Sequence, residues 1–197
     1  VMTFFGAGEL AQPRWYLNQP STHFFKNTEI TVYYERISDV ETSYAGLVLG
    51  GRSGPDGHSS NGDPCDAHTY YGRFRNDGNK DFVKELKHPE SSSKRIAYIW
   101  GGAPNRLPSF QWIGMKFIIY NTNNNGNVKL ELYRDMTEGR NGGTWEKIDE
   151  LVDTGDWSPP QSSPACSYTR NFIPTVGGGV IILRNTGTRE ARYKWMS

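Results

Sequence analysis

Residues 68–89 hold the side chains with the clearest capacity for chemistry, and they read HTYYGRFRNDGNKDFVKELKHP. Lys84 and His88 are four residues apart, so with strand periodicity they share one face with Phe82 and Leu86. Ionisable groups on an otherwise apolar face need a partner or a function, because burial of an unpaired charge is unfavourable. A lysine, a histidine and neighbouring tyrosines are the residue types that supply a base and an acid for proton transfer.

The same region carries a local excess of positive charge, although the net charge of the whole chain is only +1. Residues 68–95 contain seven Lys or Arg against four Asp or Glu, and aromatic residues lie between them. Arginine pairs well with carboxylates, and aromatic rings offer apolar surface to sugar rings. We therefore expect an acidic polysaccharide as partner, although each cation taken singly also fits a solvated strand residue. The predicted substrate-binding residues are His68, Tyr71, Arg73, Arg75, Lys116 and Tyr120.

The elements that must position these residues are β-strands. Apolar and polar residues alternate with period two, and no stretch of a dozen residues carries a helical apolar stripe. Clusters of Gly, Pro, Asn, Asp and Ser separate the alternating segments, as in antiparallel sandwiches and jelly rolls. The predicted strands are 28–37, 44–50, 69–75, 81–88, 95–100, 112–121, 127–135, 144–153, 179–184 and 189–196.

The length of 197 residues fits a single all-β domain over residues 1–197. We expect an antiparallel two-sheet β-sandwich of the jelly-roll, concanavalin-like type, with a concave cleft for carbohydrate. Alternation predicts an inward set on the two strands at 112–121 and 127–135, and it directs Lys116, Tyr120 and Glu131 toward solvent. The inward set is Met115, Phe117, Ile119, Val128, Leu130 and Leu132.

Cys65 and Cys166 both lie among Gly, Pro, Ser and Asp residues, a setting typical of loops. They are either two reduced thiols or one disulfide, and the disulfide is the favoured interpretation. Its long loop would stabilise the fold by about 4–5 kcal/mol in the chain-entropy model. No apolar run approaches membrane-spanning length, and we expect a secreted monomer.

Several functions are disfavoured by the sequence. The near-neutral charge argues against nucleic acid and anionic membranes as partners. The four histidines and two cysteines lack the spacing of metal sites, so no metal ligands are assigned. The chain also has no G-x-S-x-G elbow, phosphate loop or dinucleotide fingerprint, which disfavours serine hydrolase and nucleotide chemistry.

Three motifs give the chain a resemblance to a known family. F-x-K-E-x-x-H-P occupies residues 82–89, W-x-G-x-K-x-x-x-Y-N occupies 112–121, and W-x-x-x-D-E-x-x-D-x-G-x-W occupies 145–157. Together they resemble jelly-roll polysaccharide lyases of the glucuronan-lyase type and related microbial secreted proteins, over about residues 28–196. The strongest signatures of alginate lyases, R-[ST]-E-L-R with Q-[IV]-H and Y-F-K-A-G, have no match here.

The resemblance implies endo-acting β-elimination on a uronic-acid polymer. Lys84 and His88 would lie in the cleft with Tyr70 or Tyr71 from the neighbouring strand, and Arg52 would neutralise the substrate carboxylate. The predicted catalytic residues are therefore Lys84, His88, Tyr70 and Arg52. The chemistry requires no cofactor, and the resemblance leaves open a structural calcium ion.

Two alternatives stay open at this point. A non-catalytic carbohydrate-binding module or lectin would use the same cleft only to bind, since one sandwich fold hosts both functions. A glycoside hydrolase would need two carboxylates about 5–10 Å apart, for which Glu85 and Glu131 are the candidates.

Overall fold

The computed structural model describes residues 1–5, 12–18, 24–39, 46–54, 62–101, 106–157, 166 and 171–197. Within these ranges the secondary structure is twelve β-strands and two short 3-10 helices, Pro64–Ala67 and Arg140–Gly142. The strands are β1 (Met2–Phe5), β2 (Arg14–Asn18), β3 (Thr28–Asp39), β4 (Gly46–Ser53), β5 (Thr69–Arg75), β6 (Asn79–Lys87), β7 (Glu90–Tyr98), β8 (Trp112–Thr122), β9 (Asn127–Asp135), β10 (Trp145–Asp153), β11 (Val180–Thr186) and β12 (Thr188–Lys194).

The strands form two antiparallel sheets of six strands each. Sheet A has the order β1-β12-β3-β8-β9-β10, and sheet B has the order β2-β11-β4-β5-β6-β7. Their inner faces pack against each other around one large apolar core. The prediction of an all-β, two-sheet antiparallel sandwich is thus confirmed.

The ten predicted strands correspond to β3 through β12, and the ranges of β5 and β9 match to the residue. The start of the predicted strand 44–50 lies outside the described residues, which resume at residue 46. The prediction misses β1 and β2 because both are short and carry no regular alternation. The predicted strand 95–100 begins five residues later than β7, because the first half of β7 is a polar run with three serines.

The six residues predicted to face inward on β8 and β9 are all fully buried in the core. Gly72 on β5 lies opposite them, and a Cβ at that position would stand 2.9 Å from the Phe117 ring. A glycine therefore lets the two sheets approach at this level. The rings of Phe82 and Phe117 face each other across the interface, with centroids 6.3 Å apart.

Cys65 and Cys166 form a disulfide, as the sequence favours, which ties the first 3-10 helix to a point 101 residues further along the chain. No helix in the described ranges has the length and apolar character needed to cross a bilayer.

Candidate functional site

The outer face of sheet B carries a polar groove of about 390 Å³, here called the arginine groove. Residues from β2, β11, β5, β6 and β7 contribute to it, so five strands of one sheet build a single surface. Its lining residues are Gln12, Arg14, Tyr71, Arg73, Arg75, Val83, Glu85, His88, Pro89, Ser91, Ser93 and Arg184.

Three of the arginines follow one row across sheet B. Arg14 on β2 pairs in register with Arg184 on β11, which pairs with Val48 on β4. Val48 pairs in turn with Arg73 on β5, and Arg73 pairs with Asp81 on β6. Neighbouring strands are about 4.8 Å apart, so Arg14 and Arg184 are one strand spacing apart, and Arg73 follows after two.

The arginines at the two ends of this row differ in their partners. Arg73 donates two hydrogen bonds to the buried carboxylate of Asp81, at 2.6 and 2.5 Å, and one to Ser93 at 3.0 Å. Arg75 beside it donates to Asp77 at 2.6 Å. This end of the row is therefore compensated by carboxylates of its own sheet.

Arg14 and Arg184 are less well compensated than Arg73 and Arg75. Arg14 donates to the side chain of Gln12 at 3.3 Å, and Arg184 lies over the Tyr71 ring with its guanidinium carbon 5.2 Å from the centroid. Within the described residues neither forms a salt bridge with a carboxylate, and both Nε atoms are buried without a hydrogen bond. Burial lowers the pKa of Arg184, as do the charges of Arg14 and Arg73, whereas the charge of Glu85 acts in the opposite direction.

Proton-transfer groups lie at the floor of the groove. The hydroxyl of Tyr71 donates to Glu85 at 3.1 Å, and Nδ1 of His88 lies 2.8 Å from the other oxygen of the same carboxylate. Burial, followed by the charge of Glu85, raises the pKa of Tyr71. The ring of Tyr71 lies directly over Gly50, where a Cβ would stand 2.6 Å from it, so glycine is required beneath the ring.

Lys84 and His88 do not share a face as predicted. The pairing of β6 with β7 shifts register between Glu85 and Lys87, and this bulge turns His88 to the side of Glu85. Lys84 instead points into the sandwich, fully buried, with Nζ 2.7 Å from the buried carboxylate of Asp153 on β10. A buried ammonium paired in this way does not reach a polymer on the outer face.

Tyr70 and Arg52 are interior residues as well. Tyr70 is fully buried and donates its hydroxyl to Asp153 at 2.6 Å, beside Lys84. Arg52 is 1% exposed and donates to the backbone carbonyls of Pro174 and Lys26, each at 2.6 Å. Burial lowers its pKa to about 10, so it stays charged at neutral pH. The structure therefore corrects the placement of Lys84, Tyr70 and Arg52 in a cleft, and of the four predicted catalytic residues only His88 lines the groove.

The predicted substrate-binding residues divide among three places. Tyr71, Arg73 and Arg75 line the arginine groove together. His68 follows the first 3-10 helix, where its Nδ1 lies 3.3 Å from the carbonyl of Cys65 and burial lowers its pKa. Lys116 and Tyr120 are on the outer face of sheet A, and thus on the opposite side of the sandwich from the groove.

Glu131 accompanies Tyr120 on sheet A. Burial tends to raise the pKa of Glu131, but hydrogen bonds from Tyr133, Tyr120 and two lysines lower it to about 2. Glu85 belongs to the outer face of sheet B, so the whole sandwich separates the two carboxylates. A glycosidase pair of Glu85 and Glu131 is therefore wrong, because the two cannot flank one bond.

Sequence reasoning missed Arg14 and Arg184. Both are far from the segment 68–95 in the chain, and only the pairing of β2 and β11 with the rest of sheet B brings them beside Tyr71 and Arg73. Each is a single arginine without other charged residues beside it. The local sequence therefore does not distinguish it from an ordinary surface cation.

Side chains that commonly bind metal ions do not cluster in the described residues. Among the described residues, no group of three or more His, Cys, Asp or Glu side chains comes close enough to hold a metal ion.

No protein-family model matches the chain, and no curated protein matches its sequence. Several solved structures are similar in backbone course, and two of them are lectin-like proteins. Arcelin-5, a lectin-like defense protein from Phaseolus vulgaris, is 10% identical with a TM-score of 0.47, over 98% of this chain and 83% of its own. A legume lectin-like domain from Entamoeba histolytica is 8% identical with a TM-score of 0.41, over 98% and 82% of the two chains.

Proposed function

We propose that this protein binds an acidic polysaccharide in the arginine groove. The observation that carries the proposal is the cross-strand pair of Arg14 and Arg184, which form no salt bridge with a carboxylate in the described residues. Like charges directly opposite each other in a sheet are destabilising. An anionic group bound between them relieves the repulsion and fills the hydrogen-bonding capacity of both guanidinium groups.

The rest of the groove favours a polymer, rather than a small anion, as the ligand. Four arginines and one histidine line it against one glutamate, and the arginine row extends over several strands. Several cations along one row suit a chain that carries a charge on repeated units. Serine, glutamine and glutamate side chains in the same lining offer donors and acceptors for hydroxyl groups. The sequence resemblance to polysaccharide lyases supports a uronic-acid polymer as the ligand.

The disulfide between Cys65 and Cys166 supports an extracellular location, because disulfides persist in oxidising compartments. A secreted protein would meet acidic polysaccharides outside the cell. Secretion and the monomeric state remain parts of the proposal.

Calorimetric titration with glucuronan, alginate and polygalacturonate tests the proposal, with each polymer also used after reduction of its carboxyl groups. We expect one of the acidic polymers to bind and its reduced form to bind at least tenfold more weakly. The double variant Arg14→Gln/Arg184→Gln should lose more than about tenfold in affinity. Arg192→Gln, a cation on sheet A, is the matched control and should bind normally. Equal affinity for the acidic and reduced polymers would overturn the proposal.

A second candidate function is β-elimination in the same groove. One observation favours it, namely that Tyr71 and His88 both contact Glu85, within the arginine-lined surface. Elimination requires a base that takes the C5 proton of a uronate, whose electrons form the C4=C5 double bond while the C4–O4 bond breaks. The leaving oxygen takes a proton from an acid, and a cation stabilises the carboxylate through the transition state.

The ultraviolet absorbance of the unsaturated product separates elimination from binding alone. If the protein is a lyase, absorbance rises on the polymer that binds, and His88→Gln abolishes the rise while it leaves the affinity nearly unchanged. Binding without any such rise would reject the lyase and leave the carbohydrate-binding function. Reducing ends formed without that absorbance would also reject elimination.

A further inference from the structure

The outer face of sheet A holds a second pocket, on the opposite side of the sandwich from the arginine groove. It has a volume of about 280 Å³ and is called here the indole pocket. Strands β3, β8 and β10, the loop after β9 and the residues after β12 contribute to it. Its lining residues are Glu29, Thr31, Tyr33, Lys116, Gly139, Gly142, Trp145, Trp195 and Ser197.

Three aromatic rings shape the indole pocket. Tyr33 is almost fully buried, and its ring meets those of Trp145 and Trp195 edge to face, with centroids 5.7 and 5.4 Å away. Trp195 is 61% exposed, which is unusual for so large an apolar side chain. Lys194 packs against it from 4.1 Å and donates to the carbonyl of Glu138, so the exposed indole is held in place.

The rim of the pocket is also fixed. The buried carboxylate of Asp135 accepts hydrogen bonds from the Tyr33 hydroxyl and from the backbone nitrogens of Gly139 and Thr144, each at 2.9 Å. A Cβ on Gly139 would stand 2.4 Å from the Trp195 ring, so only glycine allows this contact. A Cβ on Gly142 would meet nothing within 4 Å, so the backbone there is open to a ligand.

The polar groups of the pocket compensate each other. Nζ of Lys116 lies 2.8 Å from Glu29 and 4.8 Å from the centre of the Trp145 ring. Half of the Glu29 side chain is exposed, so its carboxylate can accept further hydrogen bonds from a ligand. An acidic ligand would meet the charge of Glu29, whereas a neutral ligand with hydroxyl groups would satisfy both partners.

We propose that the indole pocket binds one ring of a neutral oligosaccharide. The apolar face of a pyranose stacks on the exposed Trp195, and its hydroxyl groups reach Glu29 and Lys116. The volume is close to the lower end of ordinary ligand pockets, about 300 Å³, which suits a single ring. The protein then carries two carbohydrate sites of different charge preference on opposite faces.

Titration of the ¹⁵N-labelled protein with cellohexaose, xylohexaose, laminarihexaose and mannohexaose tests the inference. The six tryptophan Nε1–H resonances report on the rings one by one, and Trp145→Phe and Trp195→Ala identify two of them. We expect at least one of these neutral probes to shift the Trp145 and Trp195 resonances. Trp195→Ala should weaken that binding about tenfold or more, because the stacking surface is lost.

Two control variants test whether the neutral probe binds at the indole pocket and not elsewhere. Phe110→Ala removes another exposed aromatic ring, 72% exposed, and should leave binding of the neutral probe unchanged. Arg14→Gln/Arg184→Gln should also leave it unchanged, so failure of the groove proposal does not affect this test. The inference is overturned if none of the four probes shifts the Trp145 and Trp195 resonances. It is equally overturned if Trp195→Ala binds the probe as tightly as the unaltered protein does.

Discussion

Lys84 Nζ lies 2.7 Å from Asp153 Oδ2, and this ion pair joins β6 of sheet B to β10 of sheet A with no exposed surface on either side chain. Tyr70 adds its hydroxyl to the same carboxylate oxygen, and the backbone nitrogen of Gly155 donates to the other oxygen. A lysine that the sequence marks as a candidate for chemistry thus belongs to the contact between the sheets.

Lys84→Ala should lower the free energy of unfolding by about 3–5 kcal/mol, because it leaves the Asp153 carboxylate buried without a cation. The double variant Lys84→Met/Asp153→Leu should recover much of that loss, since no buried charge remains. Urea denaturation measures both. Lys87→Ala is the control, because this lysine is partly exposed in a 3.6 Å pair with Glu90, and it should change stability by less than about 1 kcal/mol. A loss below about 1 kcal/mol for Lys84→Ala would contradict a structural role.

The position of Lys84 shows which side-chain directions alternation predicts correctly and which it does not. Alternation places Lys84 on the same side as Phe82, and both are indeed buried in the sandwich. The same alternation predicts the wrong side for His88. A bulge between Glu85 and Lys87 reverses the direction of the side chains that follow it. A bulge depends on pairing with another strand, so the sequence of one strand does not reveal it.

Only part of the arginine groove is predictable from the sequence, because the rest also depends on strand pairing. Tyr71, Arg73 and Arg75 lie on one strand, and alternation alone brings them together. Arg14 and Arg184 join them through the strand order of sheet B, which sequence patterning does not specify. The fold class needs only local periodicity, whereas the site needs the order and register of distant strands.

Removal of the disulfide should destabilise the fold mainly through the unfolded state. Cys65 and Cys166 close a loop of 101 residues, for which the chain-entropy model gives about 4–5 kcal/mol. The variant Cys65→Ser/Cys166→Ser should therefore unfold at much lower urea concentration, with a loss of that order in the free energy of unfolding. Equilibrium denaturation of both forms measures it, and a change under about 1 kcal/mol would refute the expectation.

Asp135 should make stability depend on pH in the acid range. Burial tends to raise its pKa, but hydrogen bonds from Thr137, Thr144 and Gly139 lower it to about 2. A carboxylate whose pKa is lower in the folded state stabilises above the unfolded pKa and loses that contribution as pH falls. We expect about 2 kcal/mol to be lost between about pH 4 and pH 2.

Asp135→Asn tests this assignment. The variant should be less stable by about 2 kcal/mol or more at neutral pH, because an amide places donors against the Tyr33 hydroxyl and the Gly139 nitrogen. Its deficit should shrink as pH falls from about 4 to about 2, where the unaltered protein loses the carboxylate as well. Glu146→Gln, on an exposed pair with Arg134, is the control and should keep the pH dependence of the unaltered protein. A deficit that stays constant over this range would point to a different titrating group.

Binding of an acidic polymer in the arginine groove should weaken as salt concentration rises. Salt screens the attraction between the polymer and the exposed parts of the arginine row. Arg184→Gln removes one cation that forms no salt bridge with a carboxylate of the described residues, so it should reduce both the affinity at low salt and the steepness of its fall. Arg192→Gln removes a cation paired at 3.3 Å with Glu35 on sheet A, and should leave both unchanged. Titrations at several salt concentrations measure the slopes. Identical slopes for Arg184→Gln and the unaltered protein would mean that the polymer does not meet the charge of Arg184.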